Sequence, residues 1–144
     1  MDQDKRLHLL QMMYAAVLAD TVLQFENEGV LQSVIDRKQQ AQMATGKLRA
    51  NQLGIKAPEE VFAILSEVFN CARWTITPSD SGFAAGTTAC TLCAIAKKMG
   101  SPSPCRIYCL DPMEGMIKGL DPQASFTATE TLWDSDRCNV EVVR

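Results

Sequence analysis

Residues 125–143, SFTATETLWDSDRCNVEVV, carry the clearest strand pattern in the chain. Two runs of alternating side chains flank the turn-forming segment Asp134–Asp136, an arrangement typical of an antiparallel β-hairpin. Successive side chains of a strand point to opposite faces, so the pattern assigns each residue of the first run to a face. One face carries Phe126, Ala128, Glu130 and Leu132, and the other carries Thr127, Thr129, Thr131 and Trp133.

The segment before this hairpin mixes strand and helix patterns. Residues 71–80, CARWTITPSD, alternate like a strand, whereas residues 81–89, SGFAAGTTA, predict a loop or a bulged strand. Residues 90–100, CTLCAIAKKMG, predict a short helix that ends at Gly100, and the following SPSP is a break. Residues 105–120, CRIYCLDPMEGMIKGL, predict a helix that is bent near Pro112.

The N-terminal part has helical spacing throughout. Apolar residues recur every three or four positions in residues 5–26 and 29–53, and Gly54 can end the second helix in a left-handed cap. A third helix starts near residue 57, with Pro58 in its first turn. This order of elements predicts an α+β fold, in which N-terminal helices pack on a small antiparallel sheet that ends in a C-terminal β-hairpin.

The length of 144 residues predicts one domain, with a helical lead (1–70) and a cysteine-rich α+β part (71–144). The chain is 47% hydrophobic and 22% charged, as expected for a globular protein. A net charge of −3 and the lack of a clustered basic face argue against a nucleic-acid partner or an anionic membrane. The first two helices can pack either on the sheet of the same chain or on a second copy of the protein, and the second arrangement would form a homodimer through the N-terminal helices.

The location of the protein follows from the same composition. Neither a secretory signal nor a run of 18 apolar residues is visible, so we expect a cytoplasmic protein that does not span a membrane. Thiols stay reduced in that compartment, which disfavours disulfides.

Four of the six cysteines lie between Cys90 and Cys109, and Cys138 follows in the last strand. The pattern is C-x2-C-x11-C-x3-C, and spacings of three and four share one face of a helix. Two such pairs turned toward each other would make a thiolate site for zinc or, as a less favoured alternative, an iron–sulfur cluster. The alternative is that these cysteines only pack, because free cysteine is often buried. The predicted metal ligands are Cys93, with Cys90 as its alternative, Cys105, Cys109 and Cys138.

Other candidate groups are few. The only histidine, His8, excludes a site with several histidines, and no phosphate-binding loop is present. Two carboxylates stand out: Asp111 closely follows the cysteines, and Glu130 lies mid-strand, where burial would be costly unless it is paired.

The pattern C-x11-C-x3-C-x-D, followed by F-x-x-T-x-T-L-x-x-x-D-x-C-x-V-x-V, resembles the L-2-amino-thiazoline-4-carboxylic acid hydrolase-like family. The N-terminal LHLLQMMYAAVLADTVLQFENEG and ATGKLRANQLG are similar to the helical lead of that family, so the resemblance covers nearly the whole chain. The final strands more distantly resemble vinyl-reductase-type sensor domains. The positions that match the family's cysteines and aspartate are Cys93 (or Cys90), Cys105, Cys109, Asp111 and Cys138.

The chain departs from the family pattern at three places. Ser135 stands where a glycine is common, Val140 where an aromatic residue is expected after the last cysteine, and the glycine of the helix break is shifted to Gly29. The fold that the resemblance implies is compatible with these changes, whereas they put the identity of the substrate in doubt.

The resemblance implies a small-molecule hydrolase that opens a C–N or C–S bond in a cyclic amidine or a thiol-derived metabolite. In one mechanism, a Cys105 or Cys109 thiolate attacks the amidine carbon while Asp111 or Glu130 moves protons. In the other, a cysteine-bound metal ion activates water. The alternatives are a small-molecule-binding sensor module with a structural zinc ion and no turnover, and a helical-hairpin dimer whose cysteines only pack.

Overall fold

The predicted α+β fold is confirmed by the computed structural model, which describes residues 1–144. Five α-helices are joined to one four-stranded antiparallel sheet. The helices are α1 (Gln3–Asn27), α2 (Leu31–Gln52), α3 (Pro58–Phe69), α4 (Thr91–Met99) and α5 (Asp111–Leu120). The strands are β1 (Thr75–Ser79), β2 (Gly82–Thr87), β3 (Ser125–Glu130) and β4 (Cys138–Val143).

The helix ends follow from local chemistry. Gly54 adopts a left-handed conformation (φ +72°), and Ile55 N–H then donates to the Ala50 carbonyl at 2.9 Å, which closes α2 as predicted. Pro58 opens α3, where the Glu60 carboxylate accepts from the backbone N–H of Lys56 at 2.7 Å. No helix is both long enough and apolar enough to cross a membrane.

The C-terminal hairpin is confirmed, but it is only half of the sheet. Residues 75–87, for which we expected one strand and a loop or bulged strand, form a second hairpin, β1–β2. The strand order is β1-β2-β4-β3, so β4 pairs with β2 on one side and with β3 on the other. One face of the two central strands is buried, and it carries Phe83, Ala85, Thr87, Cys138, Val140 and Val142.

The main core lies between this sheet face and helices α2, α3 and α5. Phe62 of α3 is fully buried, and its ring lies 5.2 Å from Trp74 and 5.8 Å from Phe83, edge to face in both cases. A second, smaller core joins α1 to α4 through Ala15, Leu18, Ala19, Leu92 and Ala96. Helix α1 therefore packs on α4, and it leaves Leu7, Leu10, Met13 and Val17 exposed. The homodimer stays a prediction.

Helices α2 and α5 touch backbone to backbone. A Cβ atom on Gly46 would collide with the carbonyl of Gly115 and would lie 2.8 Å from the Met116 nitrogen. A Cβ atom on Gly115 would likewise lie 2.8 Å from the carbonyl carbon of Gln42. Glycine is required at both positions because only hydrogen fits between the two helices.

Helix α5 is preceded by a π-helical segment, Arg106–Leu110, in which Asp111 N–H bonds to the carbonyl of Arg106. The cause is Pro112, which lacks an N–H and whose ring conflicts with the carbonyl four residues back. The bend that we expected near Pro112 is therefore a π-bulge. Such bulges are frequent at functional sites, and this one carries Cys109 into the region described next.

Candidate functional site

A cavity of about 450 Å³ lies between α2, α3, the start of α4 and the π-helical segment. Most of its wall is apolar, with Trp74 and Met116 among the larger side chains. All six cysteines of the chain line it: Cys71, Cys90, Cys93, Cys105, Cys109 and Cys138. The fold therefore brings together thiols from four different parts of the chain, and no disulfide links them.

Cys90 is the thiol whose surroundings differ most from simple packing. It occupies the N-cap position of α4, where its Sγ accepts from the Cys93 N–H at 3.5 Å. Serine, threonine, aspartate and asparagine are the usual residues here, and the sulfur of Cys90 takes their place. The Cys93 thiol and the N–H groups of Cys93 and Leu92 lower the pKa of Cys90 to about 6, against the opposing effect of burial. These donors favour the ionised form of the Cys90 thiol.

Cys93 lies between two other thiols. Its Sγ is 3.6 Å from the Sγ of Cys105, and both residues are buried. The S–H of Cys93 lowers the pKa of Cys105 and of Cys90, while donation to these neighbours raises the pKa of Cys93 itself. One S–H proton serves one acceptor at a time, and Cys90 also has the backbone N–H groups of α4. Of these two neighbours, Cys90 therefore has the larger number of donors to its ionised form.

The other three cysteines stay protonated. Burial raises the pKa of Cys109 and of Cys138, and it raises the pKa of Cys71 to about 11. Cys138 Sγ accepts from the backbone N–H of Leu132 at 3.1 Å, which ties the last strand to the loop after β3. These thiols contribute apolar, weakly polar wall to the cavity.

The predicted metal ligands Cys93, Cys105, Cys109 and Cys138 all line the cavity. Across residues 1–144, however, no three His, Cys, Asp or Glu side chains are arranged so that they could hold a metal ion. A structural zinc ion needs four ligands at tetrahedral positions, so this arrangement does not fit one. We derive no chemistry through a metal, and zinc or an iron–sulfur cluster stays an untested prediction.

The two predicted carboxylates do not line the cavity. Asp111 is buried and pairs with Arg106 at 3.4 Å, and burial raises its pKa although the guanidinium opposes the shift. Glu130 accepts from Ser135 Oγ at 2.8 Å and from Arg137 Nε at 2.6 Å, and these two partners lower its pKa. Asp111 stands beside the π-bulge and Glu130 at the end of β3, so neither faces the Cys90 thiolate.

Sequence reasoning missed the polar part of the wall. Lys38, Gln42, Arg49 and Gln52 line the cavity, and their spacing of four, seven and three places them on one face of α2. None of these four residues was singled out from the sequence, because only the packing of α2 against α5 turns this face toward the cavity.

The fold and the cavity define a class, namely an α+β protein with a largely apolar pocket whose wall carries six thiols, one of them at the N-cap of a helix. Comparison with protein families finds that residues 6–141 match the L-2-amino-thiazoline-4-carboxylic acid hydrolase family. The chain belongs to this family, as the sequence resemblance implied. Comparisons with curated proteins and with solved structures find no match.

Proposed function

We propose that the protein is a thiol-dependent hydrolase that opens a C–N or C–S bond in a small cyclic amidine, with Cys90 as the nucleophile. The family name supports hydrolysis of a thiazoline carboxylate. The observation that carries the proposal is the position of Cys90 at the start of α4, where its sulfur lines the cavity and accepts from the Cys93 N–H at 3.5 Å. The donors around it lower the pKa of this thiol, and a thiol is useful as a nucleophile only when it is deprotonated.

The reaction begins when the Cys90 sulfur attacks the amidine carbon and forms a C–S bond to the enzyme. The bond from that carbon to a ring nitrogen or sulfur breaks, and the leaving atom takes a proton. Cys93 is the candidate donor, because its thiol keeps its proton and lies one turn of α4 after Cys90. Water then attacks the carbon bound to Cys90, and the proton that the water loses returns to the Cys93 sulfur. The new C–S bond breaks, which restores the Cys90 thiolate. Overall, one water molecule is consumed and one ring bond is broken.

The nucleophile therefore differs from those that the sequence favoured. Cys105 is the second candidate, because its pKa is also lowered by Cys93. Cys109 is disfavoured by the raised pKa of its thiol. Asp111 and Glu130 act in this proposal as structural ion-pair partners, since each is already held by an arginine.

The experiment compares Cys90→Ser with Cys71→Ser, because both residues line the same cavity. Ring opening of 2-amino-thiazoline-4-carboxylate is followed by mass spectrometry, and alkylation by iodoacetamide is mapped by residue from pH 5 to 9. We expect Cys90 to react with a midpoint near pH 6 and Cys71 to be about 10⁴-fold less ionised at pH 7.

C90S should abolish turnover, whereas C71S should retain it. Turnover by C90S at the wild-type rate would refute Cys90 as the nucleophile. If the wild-type protein leaves this ring intact, the thiazoline ring is not its substrate.

A further inference from the structure

We infer that the cavity binds an amphipathic carboxylate, with the anionic head at Lys38 and Arg49 and an apolar body of about ten carbons or more along the rest of the wall. This inference rests on the proposed function and names the substrate class of the same site, a cyclic amidine that carries both the carboxylate and the apolar body. It implies a ligand larger than an amino-thiazoline carboxylate, with a carboxylate as its anchoring group.

The charge of the wall supports an anionic head. Among the residues that line the cavity, Lys38 and Arg49 are cations and none is an aspartate or a glutamate. Both cations are half-buried, and neither forms an ion pair with a carboxylate of the chain. Burying a cation without a counter-charge is unfavourable, so an anion from outside would be favoured at this place.

The geometry of α2 supports a carboxylate in particular. The Arg49 guanidinium donates to the Gln42 side-chain oxygen, which restrains the planar fork, and its remaining N–H groups match the two oxygens of a carboxylate. Lys38 Nζ lies 5.5 Å from the centre of the Tyr108 ring. That contact holds the ammonium group without neutralising it.

The connection between the cations and the thiols supports one continuous site. Arg49, Tyr14, Cys71 and Cys90 all line the same cavity. The Thr91 N–H donates to the Cys71 carbonyl at 2.8 Å, which fixes Cys71 beside the start of α4. A ligand held at Arg49 therefore lies in the cavity that Cys90 lines.

The size and polarity of the wall support a long apolar body. About 450 Å³ lies within the range of roughly 300–1,000 Å³ that holds drug-sized ligands, and a single substituted five-membered ring fills only part of it. Of the 28 lining residues, 21 are hydrophobic when the six cysteines and two tyrosines are included, and the only fully charged groups are Lys38 and Arg49. Ile64, Leu65, Trp74, Met113 and Met116 supply the wall against which the body would lie.

The test measures binding of unreactive probes by isothermal titration calorimetry, using hexanoate, octanoate and decanoate, with decan-1-ol as the neutral match. Each added CH₂ group should tighten binding by about fourfold if it is buried. Decanoate should bind more tightly than decan-1-ol. The measurement is repeated in C90S, so binding is scored whether or not the protein hydrolyses anything.

Three variants of α2 locate the anionic head. Arg49→Gln and Lys38→Gln should each weaken decanoate binding, Arg49→Gln by about tenfold to a hundredfold, and leave decan-1-ol binding unchanged. Arg37→Gln removes an equal charge from the exposed side of α2, and it should change neither. Circular dichroism checks that every variant is folded. If Arg49→Gln does not fold, the change in decanoate affinity is taken from Lys38→Gln.

Three outcomes would overturn the inference: affinity that does not rise with chain length, equal binding of decanoate and decan-1-ol, or wild-type affinity in both cavity variants. Each is distinguishable from failure of the proposed function. A protein that binds decanoate but opens no ring keeps the substrate-class inference as a binding site and loses the hydrolase.

Discussion

The contact between α2 and α5 yields a sharp prediction at Gly46. Replacing Gly46 by alanine adds a methyl group that collides with the Gly115 carbonyl and lies 2.8 Å from the Met116 nitrogen. Ordinary contacts between heavy atoms lie at about 3.5–4.0 Å, so the helices must separate by about 1 Å. Because the obstructing atoms belong to the backbone, no side chain can rotate to relieve the clash.

The magnitude follows from two opposing terms. Alanine improves helix propensity over glycine by about 1 kcal/mol. Overpacking costs about 1–3 kcal/mol, and a collision with backbone belongs at or above the upper end of that range. A gap of this size also forfeits a quarter to a half of the dispersion energy of the contacts beside it. We expect a net loss of about 2–3 kcal/mol in the free energy of unfolding.

The assay is thermal unfolding followed by circular dichroism. For a chain of this length, the loss corresponds to a Tm that is lower by about 5–10 °C. The matched control is Thr45→Ala, the neighbouring position, where the side chain is exposed and its hydroxyl donates only to the Ala41 carbonyl at 2.8 Å. The control should leave Tm unchanged or raise it slightly. A G46A protein whose Tm lies within about 2 °C of the wild type would refute the close approach of the two helices.

Two further predictions concern stability. Phe62→Ala should lower the free energy of unfolding by about 3–5 kcal/mol, because the ring is fully buried against two aromatic side chains. Urea denaturation measures this free energy, and a loss below about 1 kcal/mol would contradict the packing of the ring. Arg106→Gln should lower the free energy of unfolding by about 1–2 kcal/mol at pH 7, because it leaves the buried Asp111 carboxylate without its cation. The loss is no larger because the Arg106 side chain is itself half-exposed to solvent. Burial already raises the pKa of Asp111 in the folded state, so the folded protein binds this proton more tightly than the unfolded chain, and stability from this group falls as pH rises through the folded pKa. The cost of Arg106→Gln should therefore shrink toward pH 4, and an equal cost at both pH values would argue against the ion pair.

Local patterns predicted most of the secondary structure. Alternation over residues 125–143 identified the C-terminal hairpin, and Gly54 and Pro58 marked the helix ends, because these features depend on neighbours in the chain. The second hairpin was harder to recognise. Residues 82–87, GFAAGT, have small side chains and little strand propensity, and they are held as a strand by pairing with β4 more than fifty residues later.

The candidate site divides in the same way. The cysteine spacing predicted that Cys93, Cys105 and Cys109 would share a site, and Cys138 was expected to join them, and all four line one cavity. Cys90 was predicted to be the first residue of a helix over 90–100, whereas the helix begins at Thr91 and Cys90 is its N-cap. Asp111 and Glu130 were singled out as carboxylates, but their arginine partners were recognisable only in three dimensions.

The sequence by itself determined the α+β class, the helix ends and the concentration of thiols in the second half of the chain, because periodicity, caps and turns act over a few residues. Only the tertiary structure decided which thiols meet in the cavity and which face of α2 lines it, because these properties depend on groups that are distant in the chain. Cys93 and Cys105 come within 3.6 Å of each other, and Lys38 and Arg49 line the same cavity as the thiols because Gly46 and Gly115 let two helices touch.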